Sequence, residues 1–227
     1  MVEHRTHAGS IPRASPGRLD SLGALVYAVN METRERILHE SRELLREKGS
    51  PGFSMRGLAE RVGVTPTALY RHFEDKDALL ATLLDEGFAT FSSYLMRALS
   101  GKTPLERLRH AGLAYFDFAL EHPRDYALMF TTPCGDLGLE TVSESAKARM
   151  DGTFVFLVDR IKECIDAGVC LAHDPRAIAL HVWATVHGLA SLRLNDQLSG
   201  LDEHAFRAHV EFTLDCIARS LAPEARG

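Results

Sequence analysis

Phe53-Ser54-Met55-Arg56-Gly57-Leu58-Ala59-Glu60-Arg61-Val62-Gly63-Val64-Thr65-Pro66-Thr67-Ala68-Leu69-Tyr70-Arg71-His72-Phe73 is the stretch on which the fold turns. Met55, Leu58, Ala59 and Val62 recur at helical spacing behind Ser54, whose hydroxyl suits an N-cap. Gly63 ends that helix because glycine tolerates the left-handed cap. Thr65 then caps a further helix with Pro66 at its first position, where a missing N–H costs nothing, and this helix is expected to run to about Phe73. Leu58, Val62, Leu69 and Phe73 would close a small core between the two helices. A glycine-containing turn between two short helices over 54–73 satisfies helix-turn-helix geometry. Short helical hairpins are common, so the pattern alone does not assign a function.

Working outward, Ile37, Leu38, Ser41, Leu44 and Leu45 predict a preceding helix that stops near Gly49. A longer helix is predicted from about Asp75, carrying Leu79, Leu80, Leu83, Leu84, Phe88, Phe91 and Leu95. Further helices are expected at about 104–121, 123–131, 139–168, 175–195 and 202–221, with Pro104, Pro123 and Pro175 marking three of the starts. No alternating strand pattern, internal repeat or heptad run emerges, and the fold class is all-α. Residues 1–30 differ in composition, mixing Gly9, Pro12, Pro16 and Gly17 with scattered arginine before a short apolar run from Leu22 to Val29. That run is too short and too poorly followed by small residues for a signal peptide. The segment reads as a disordered tail or a mis-assigned start, with Met31 opening the folded part and 222–227 a second tail.

The 53–73 stretch leads into Asp75-Lys76-Asp77-Ala78-Leu79-Leu80. Together they closely resemble the DNA-binding domain of the TetR family, including its Leu-Tyr-x-x-Phe-x-x-Lys ending. The similarity runs from about Met31 to Phe91. It implies an N-terminal three-helix DNA-binding domain over 31–91 and a C-terminal helical domain over 92–221 that dimerises and binds an effector. Thr65, Pro66, Thr67 and Arg71 would present the recognition helix to base edges or phosphates. Tyr70, His72 and Lys76 resemble the family's phosphate-contacting positions, while Ser54 presents a helix N-terminus to the DNA backbone. Arg56 would reach a phosphate or a base. Simpler roles stand beside these: Tyr70 as a core ring with its hydroxyl in water, His72 as a passive surface residue, and Lys76 as a solvated helix-start charge.

In the C-terminal half, His181-Val182-Trp183-Ala184-Thr185-Val186-His187-Gly188-Leu189 resembles the WHG-type C-terminal domain of some TetR-like regulators. The helix around it is apolar on nearly every side, so it needs cover from both its own core and a partner subunit. With the helix of Phe206, Val210, Phe212, Leu214 and Ile217 it would build a four-helix bundle between two copies, a homodimer suited to a palindromic operator. Aromatic side chains concentrate on the intervening helices. Phe88, Phe91, Tyr115, Phe130, Trp183 and His187 are the candidate effector contacts. For His187 a buried, hydrogen-bonded ring beside Trp183 competes evenly with a ligand contact.

The net charge of -5 conceals an asymmetry. Residues 31–76 hold nine Lys/Arg against eight Asp/Glu, whereas 77–227 hold fourteen against twenty-one. DNA affinity must therefore come from a local basic patch rather than a global field. The longest apolar stretches fall short of the roughly 20 residues of a bilayer span, so no membrane segment is expected. Cys134, Cys164, Cys170 and Cys216 lack metal-ligand spacing and read as thiols in a reducing cytoplasm. His181 and His187 are poorly spaced for metal ligation on one helix face, as are His204 and His209. The chain has no phosphate loop, nucleophile elbow or zinc-protease motif, which speaks against an enzyme; no cofactor is expected. The partners implied are double-stranded operator DNA, a second copy and a small-molecule effector of unknown identity. The resemblance implies a repressor released from its operator by that effector. An activator, or an effector-independent DNA-binding protein of the same fold, is the alternative.

Overall fold

The computed structural model describes residues 21–49, 51–131 and 144–223, whose regular structure is all helical, without a strand among them. Among the described residues nine α-helices follow in order: α1 Ser21–Lys48, α2 Met55–Val62, α3 Pro66–Tyr70, α4 Lys76–Met96, α5 Pro104–Glu121, α6 Pro123–Tyr126, α7 Glu144–Asp166, α8 Pro175–Leu194 and α9 Glu203–Ser220. A 3₁₀ turn, Arg97–Ser100, extends α4, and a π-helical segment, Ala127–Thr131, extends α6. Cys134 and the residues from 139 to 143, where the seventh helix was expected to begin, lie outside the described residues.

Local chemistry sets most of these boundaries. Ser54 accepts from the Gly57 amide at 3.1 Å, Thr65 from Ala68 at 3.1 Å and Asp75 from Ala78 at 2.7 Å. At Thr103 a full capping box forms, its hydroxyl and the Glu106 carboxylate each taking a backbone N–H of the other end. Gly63 sits at φ 75°, and the amide of Val64 reaches back to the Ala59 carbonyl at 3.0 Å, closing α2 as a left-handed cap.

Three sequence expectations need correction. The helix expected to serve recognition, α3, ends at Tyr70 rather than Phe73; the amides of Arg71 and His72 bond three residues back, a tightened turn that lets Phe73 point inward. The first helix starts at Ser21, ten residues before Met31, because no proline or helix-ending glycine pair interrupts the run from Leu22 onward. Residues 21–30 are thus helical, while 1–20 lie outside the described residues. Finally, α8 is by length and composition alone long and apolar enough to cross a membrane, with a mean hydropathy of 1.2. One face of it (Ile178, Val182, Val186, Ala190) is buried in the C-terminal core.

Two apolar cores result. Ile37, Leu38 and Leu44 of α1 enclose Leu58, Leu69 and Phe73 together with the first turns of α4. The second core joins the later part of α4 to α5, α7, α8 and α9 around Phe118, Ile161 and Phe206. α4 therefore belongs to both. Phe88 falls in the first core, at its edge against Phe130, with ring centroids 6.0 Å apart.

Ion pairs stitch the two bodies together. Arg42 of α1 binds Asp125 at 2.5 Å and Glu86 at 3.3 Å, and the neighbouring Glu43 pairs with Arg124. In α1 the side chains of Val29 to Glu32 are exposed, and burial begins at Ile37. A chain beginning at Met31 is therefore expected to fold with a melting temperature within a few degrees of the full chain and to bind the same DNA. A loss of about 1 kcal/mol would shift it by roughly 2–4 °C at this size, so a larger drop in a thermal melt assigns the start of α1 a structural role.

Candidate DNA interface and effector cavity

Burial sorts the DNA-facing candidates cleanly. Ser54, Arg56, Thr65, Pro66, Thr67, Tyr70 and Arg71 are exposed, whereas Leu58, Val62, Leu69 and Phe73 form the apolar underside. Tyr70 is 51% exposed, so its ring is not in the core. The Tyr70 hydroxyl and the Arg71 guanidinium have no partner among the described residues, which leaves both available at the surface. Arg56 pairs with Glu60 at 3.3 Å across one exposed turn of α2, an interaction weak enough to yield to a phosphate. His72 and Lys76 are half-buried. The Lys76 ammonium lies 5.6 Å from the centre of the Phe53 ring, which brings the start of α4 beside the start of α2. Arg61 on the other side of α2 is held by Glu40 and Glu47 of α1, both at 2.6 Å, and braces the module.

In the C-terminal body, a cavity of about 250 Å³ opens between α4, α5, α7 and α8. Its walls are Phe91, Tyr115, Phe154 and Trp183, with Leu157 and Val186 completing the apolar surface. The volume is on the order of eight waters' share of bulk liquid, enough for a compact organic molecule. Of the six expected effector contacts, Phe91, Tyr115 and Trp183 line this space. Phe130 stands behind them, 5.9 Å from Phe91 and 6.4 Å from Trp183. Phe88 belongs to the other core, one turn too early on α4 to reach the cavity. His187 also lies outside it. No residue of α7 was among the six expected contacts, although Met150, Phe154 and Leu157 repeat at helical spacing and carry a readable signal.

His187 is instead the hub of a buried polar cluster. Its Nδ1 is 2.8 Å from the hydroxyls of both Tyr115 and Tyr126, and its ring stacks on Tyr126 at 5.7 Å. Ser191 completes the group at 3.2 Å from the Tyr126 hydroxyl. Burial holds His187 below the ordinary histidine range and pushes both tyrosines up, so all three are neutral near pH 7. Of the two readings of His187, the geometry matches the hydrogen-bonded ring beside Trp183, which is 5.9 Å away.

A second, more polar cleft of about 620 Å³ lies where α1 meets α5, α6 and α8, edged by Arg42, Arg46 and Arg124. Its guanidiniums are engaged with Asp125, Glu86 and Glu43. No group of three or more His, Cys, Asp or Glu side chains has metal-binding geometry among the described residues. Cys164 and Cys170 are buried, with thiols pushed up by desolvation, that of Cys164 to about 11.

Comparison with known proteins agrees with this architecture. Residues 37–83 match the family model for bacterial regulatory proteins of the tetR family, and residues 108–217 match a tetracyclin repressor-like C-terminal domain. The chain belongs to the TetR family of regulators. It is 30% identical over 114 residues to the transcriptional repressor KstR of Mycobacterium tuberculosis, an alignment covering 48% of this chain and 52% of KstR. A protein of unknown function from Rhodococcus sp. RHA1 superposes with a TM-score of 0.69 at 29% identity, covering 84% of this chain and 95% of that one. AibR, solved with isovaleryl coenzyme A and operator DNA, shares the fold at a TM-score of 0.61 and 19% identity, over 84% of this chain and 98% of its own. The chain spans 26% to 52% of the length of the first curated relatives it matches.

Two outcomes are expected here. Lys76→Ala should weaken operator binding and lower the slope of log affinity against log salt by about 1, the loss of one phosphate contact. Tyr70→Phe should weaken binding without changing that slope. An electrophoretic or fluorescence titration at several salt concentrations reads both. The second outcome concerns His187, whose folded-state value lies below the unfolded 6.5. The unfolded chain then binds the proton first, so the stability from the neutral ring is present above pH 6.5 and is lost as pH falls below it. The gap in melting temperature between wild type and His187→Asn should therefore narrow steadily from pH 7 to pH 5. A constant gap would place His187 in a more solvated setting.

Proposed function

We propose that this chain is a homodimeric repressor, released from a palindromic operator when a small molecule enters the cavity between α4, α5, α7 and α8. The observation that carries the reading is α4 itself. Lys76 stands at one end, beside the DNA module, and Phe91 forms a cavity wall four turns on. A ligand favouring a slightly different placement of Phe91 is felt at the recognition helix only if it binds one arrangement better than the other. Such coupling is typically about 1–3 kcal/mol, a change of roughly 5- to 150-fold in DNA affinity.

The dimer reading rests on the outer face of α8 and α9. Leu180, Leu192 and Phe212 are 54%, 41% and 62% exposed, an apolar surface on two adjacent helices that a second copy would cover. The WHG-type reading of the C-terminal domain rests on the residues from Trp183 to Leu189 alone. Repression is preferred to activation because blocking polymerase requires no additional contact surface. The effector-independent alternative loses ground to the cavity, since a purely architectural protein has no use for it. A non-enzymatic role agrees with the relatives, which are named as transcriptional regulators. A cytoplasmic location follows from a function on DNA.

Selection of bound duplexes from a random pool should return a palindrome with half-sites one or more helical turns apart. Phe91→Ala should leave operator affinity without effector within about threefold, while reducing release by effector at least as much as the coupling allows. A thermal melt must accompany the assay, because truncating a buried phenylalanine costs about 3–5 kcal/mol. A folded variant released like wild type would remove α4 from the path.

A further inference from the structure

The cavity has an uneven charge environment, and this narrows its ligand. Among its lining residues there is no lysine, arginine or histidine, and a single carboxylate, Asp151 on α7. Acidic groups elsewhere on this surface are largely neutralised. Asp85 binds Arg149 at 2.6 Å, Glu163 binds Arg160 at 2.5 Å and Arg107 at 2.8 Å, and Asp159 binds Lys162 at 3.5 Å. Asp151 has neither an ion-pair nor a hydrogen-bond partner among the described residues. It sits between Met150 and Thr153 on the rim, one turn before Phe154.

The ring of Phe154 lies 6.0 Å from that of Trp183, and both line the same cavity as the lone carboxylate. Two guanidiniums touch the lining rings without lining the cavity themselves: Arg160, paired with Glu163, is 4.6 Å from the centre of the Phe156 ring, and Arg176 is 5.4 Å from that of Phe154, in an adjoining shallow groove with Asp174 and Leu180. Among the described lining residues an anion inside the cavity would meet a carboxylate and no cation, the charge of Arg160 behind Phe156 being matched by Glu163. A cation would meet a carboxylate and electron-rich ring faces, each attractive.

Resting on the effector reading above, we propose that the ligand is a compact apolar molecule carrying one cationic amine, with its hydrocarbon body among Phe91, Tyr115 and Trp183 and its ammonium at Asp151. The apolar body supplies most of the affinity, since it leaves water for a dry wall. The charge supplies selection against neutral and acidic isosteres. Because Asp151 is on an exposed rim, its share is modest, roughly a 3- to 10-fold preference.

Trp183 is the single tryptophan of the chain, so its emission reports occupancy of the cavity directly. Three probes of matched shape that do not absorb near it are titrated into the full chain: adamantylmethylamine, adamantylmethanol and adamantane carboxylate. The expected order is amine, then alcohol, then carboxylate. In Asp151→Asn the amine should fall to the level of the alcohol, whose affinity should not move. If amine and alcohol bind wild type equally, or the amine is indifferent to Asp151→Asn, the charge assignment is overturned while the cavity stands. Tightest binding by the carboxylate also overturns it and transfers the polar end to Arg176. If no probe perturbs Trp183 up to millimolar concentration, both this assignment and the effector reading of the cavity fail.

Discussion

Arg42 joins the two halves of this molecule. It projects from α1 in the N-terminal body and reaches Asp125 on α6 and Glu86 on α4, while its neighbour Glu43 holds Arg124 from the same short helix. Both side chains of the Arg42–Asp125 pair are more than four-fifths buried, so solvent screens the interaction less than it screens a surface pair. A partly desolvated pair of this kind fixes geometry more reliably than it adds net stability. The orientation of α2 and α3 relative to the cavity is referred to this junction.

The short α6 is placed to serve both sides of it. Arg124 and Asp125 face α1, and the next residue, Tyr126, is buried and bonds His187 and Ser191 of α8. Three consecutive side chains thus touch the DNA-binding body and the polar cluster behind the cavity. The π-helical segment that follows carries Phe130, which packs against Phe88 on one side and Trp183 on the other. π-Helical segments are rare and are frequently found at functional sites. Together with α4, this gives two physical routes between the cavity and the N-terminal core; α4 spans both cores along a single helix, as α7 does through Ala146 and Ile161.

Charge distribution is consistent with this division. The near-balance of charge in residues 31–76 leaves Arg71, Tyr70 and Lys76 as a local surface feature, and the acidic excess of the remainder discourages the C-terminal body from lying on DNA. Arginine is engaged in structural ion pairs over much of the chain, as with Arg61 between Glu40 and Glu47. Arg71 is a clear exception in the DNA module, and its freedom is consistent with a role toward a partner outside the fold.

Sequence by itself determined the helices, because their caps and stops are local. Ser54, Thr65, Asp75 and Thr103 bond amides within their own first turns, and Gly63 adopts the conformation its lack of a side chain permits. It also determined the apolar underside of the DNA module, where Leu58 and Leu69 follow helical periodicity into one core. Composition misled at Ser21–Asn30, where a break in character upstream of Met31 hid a continuing helix. The cavity was another matter. Phe88 and Phe91 lie on one helix three residues apart, yet Phe88 closes the DNA-side core and Phe91 faces the void. Periodicity marks both as buried and cannot say against what. The partners of Phe91 come from α5, α7 and α8, up to some 90 residues away in sequence, and only the packing of those helices decided which aromatic rings border empty space and which fill it.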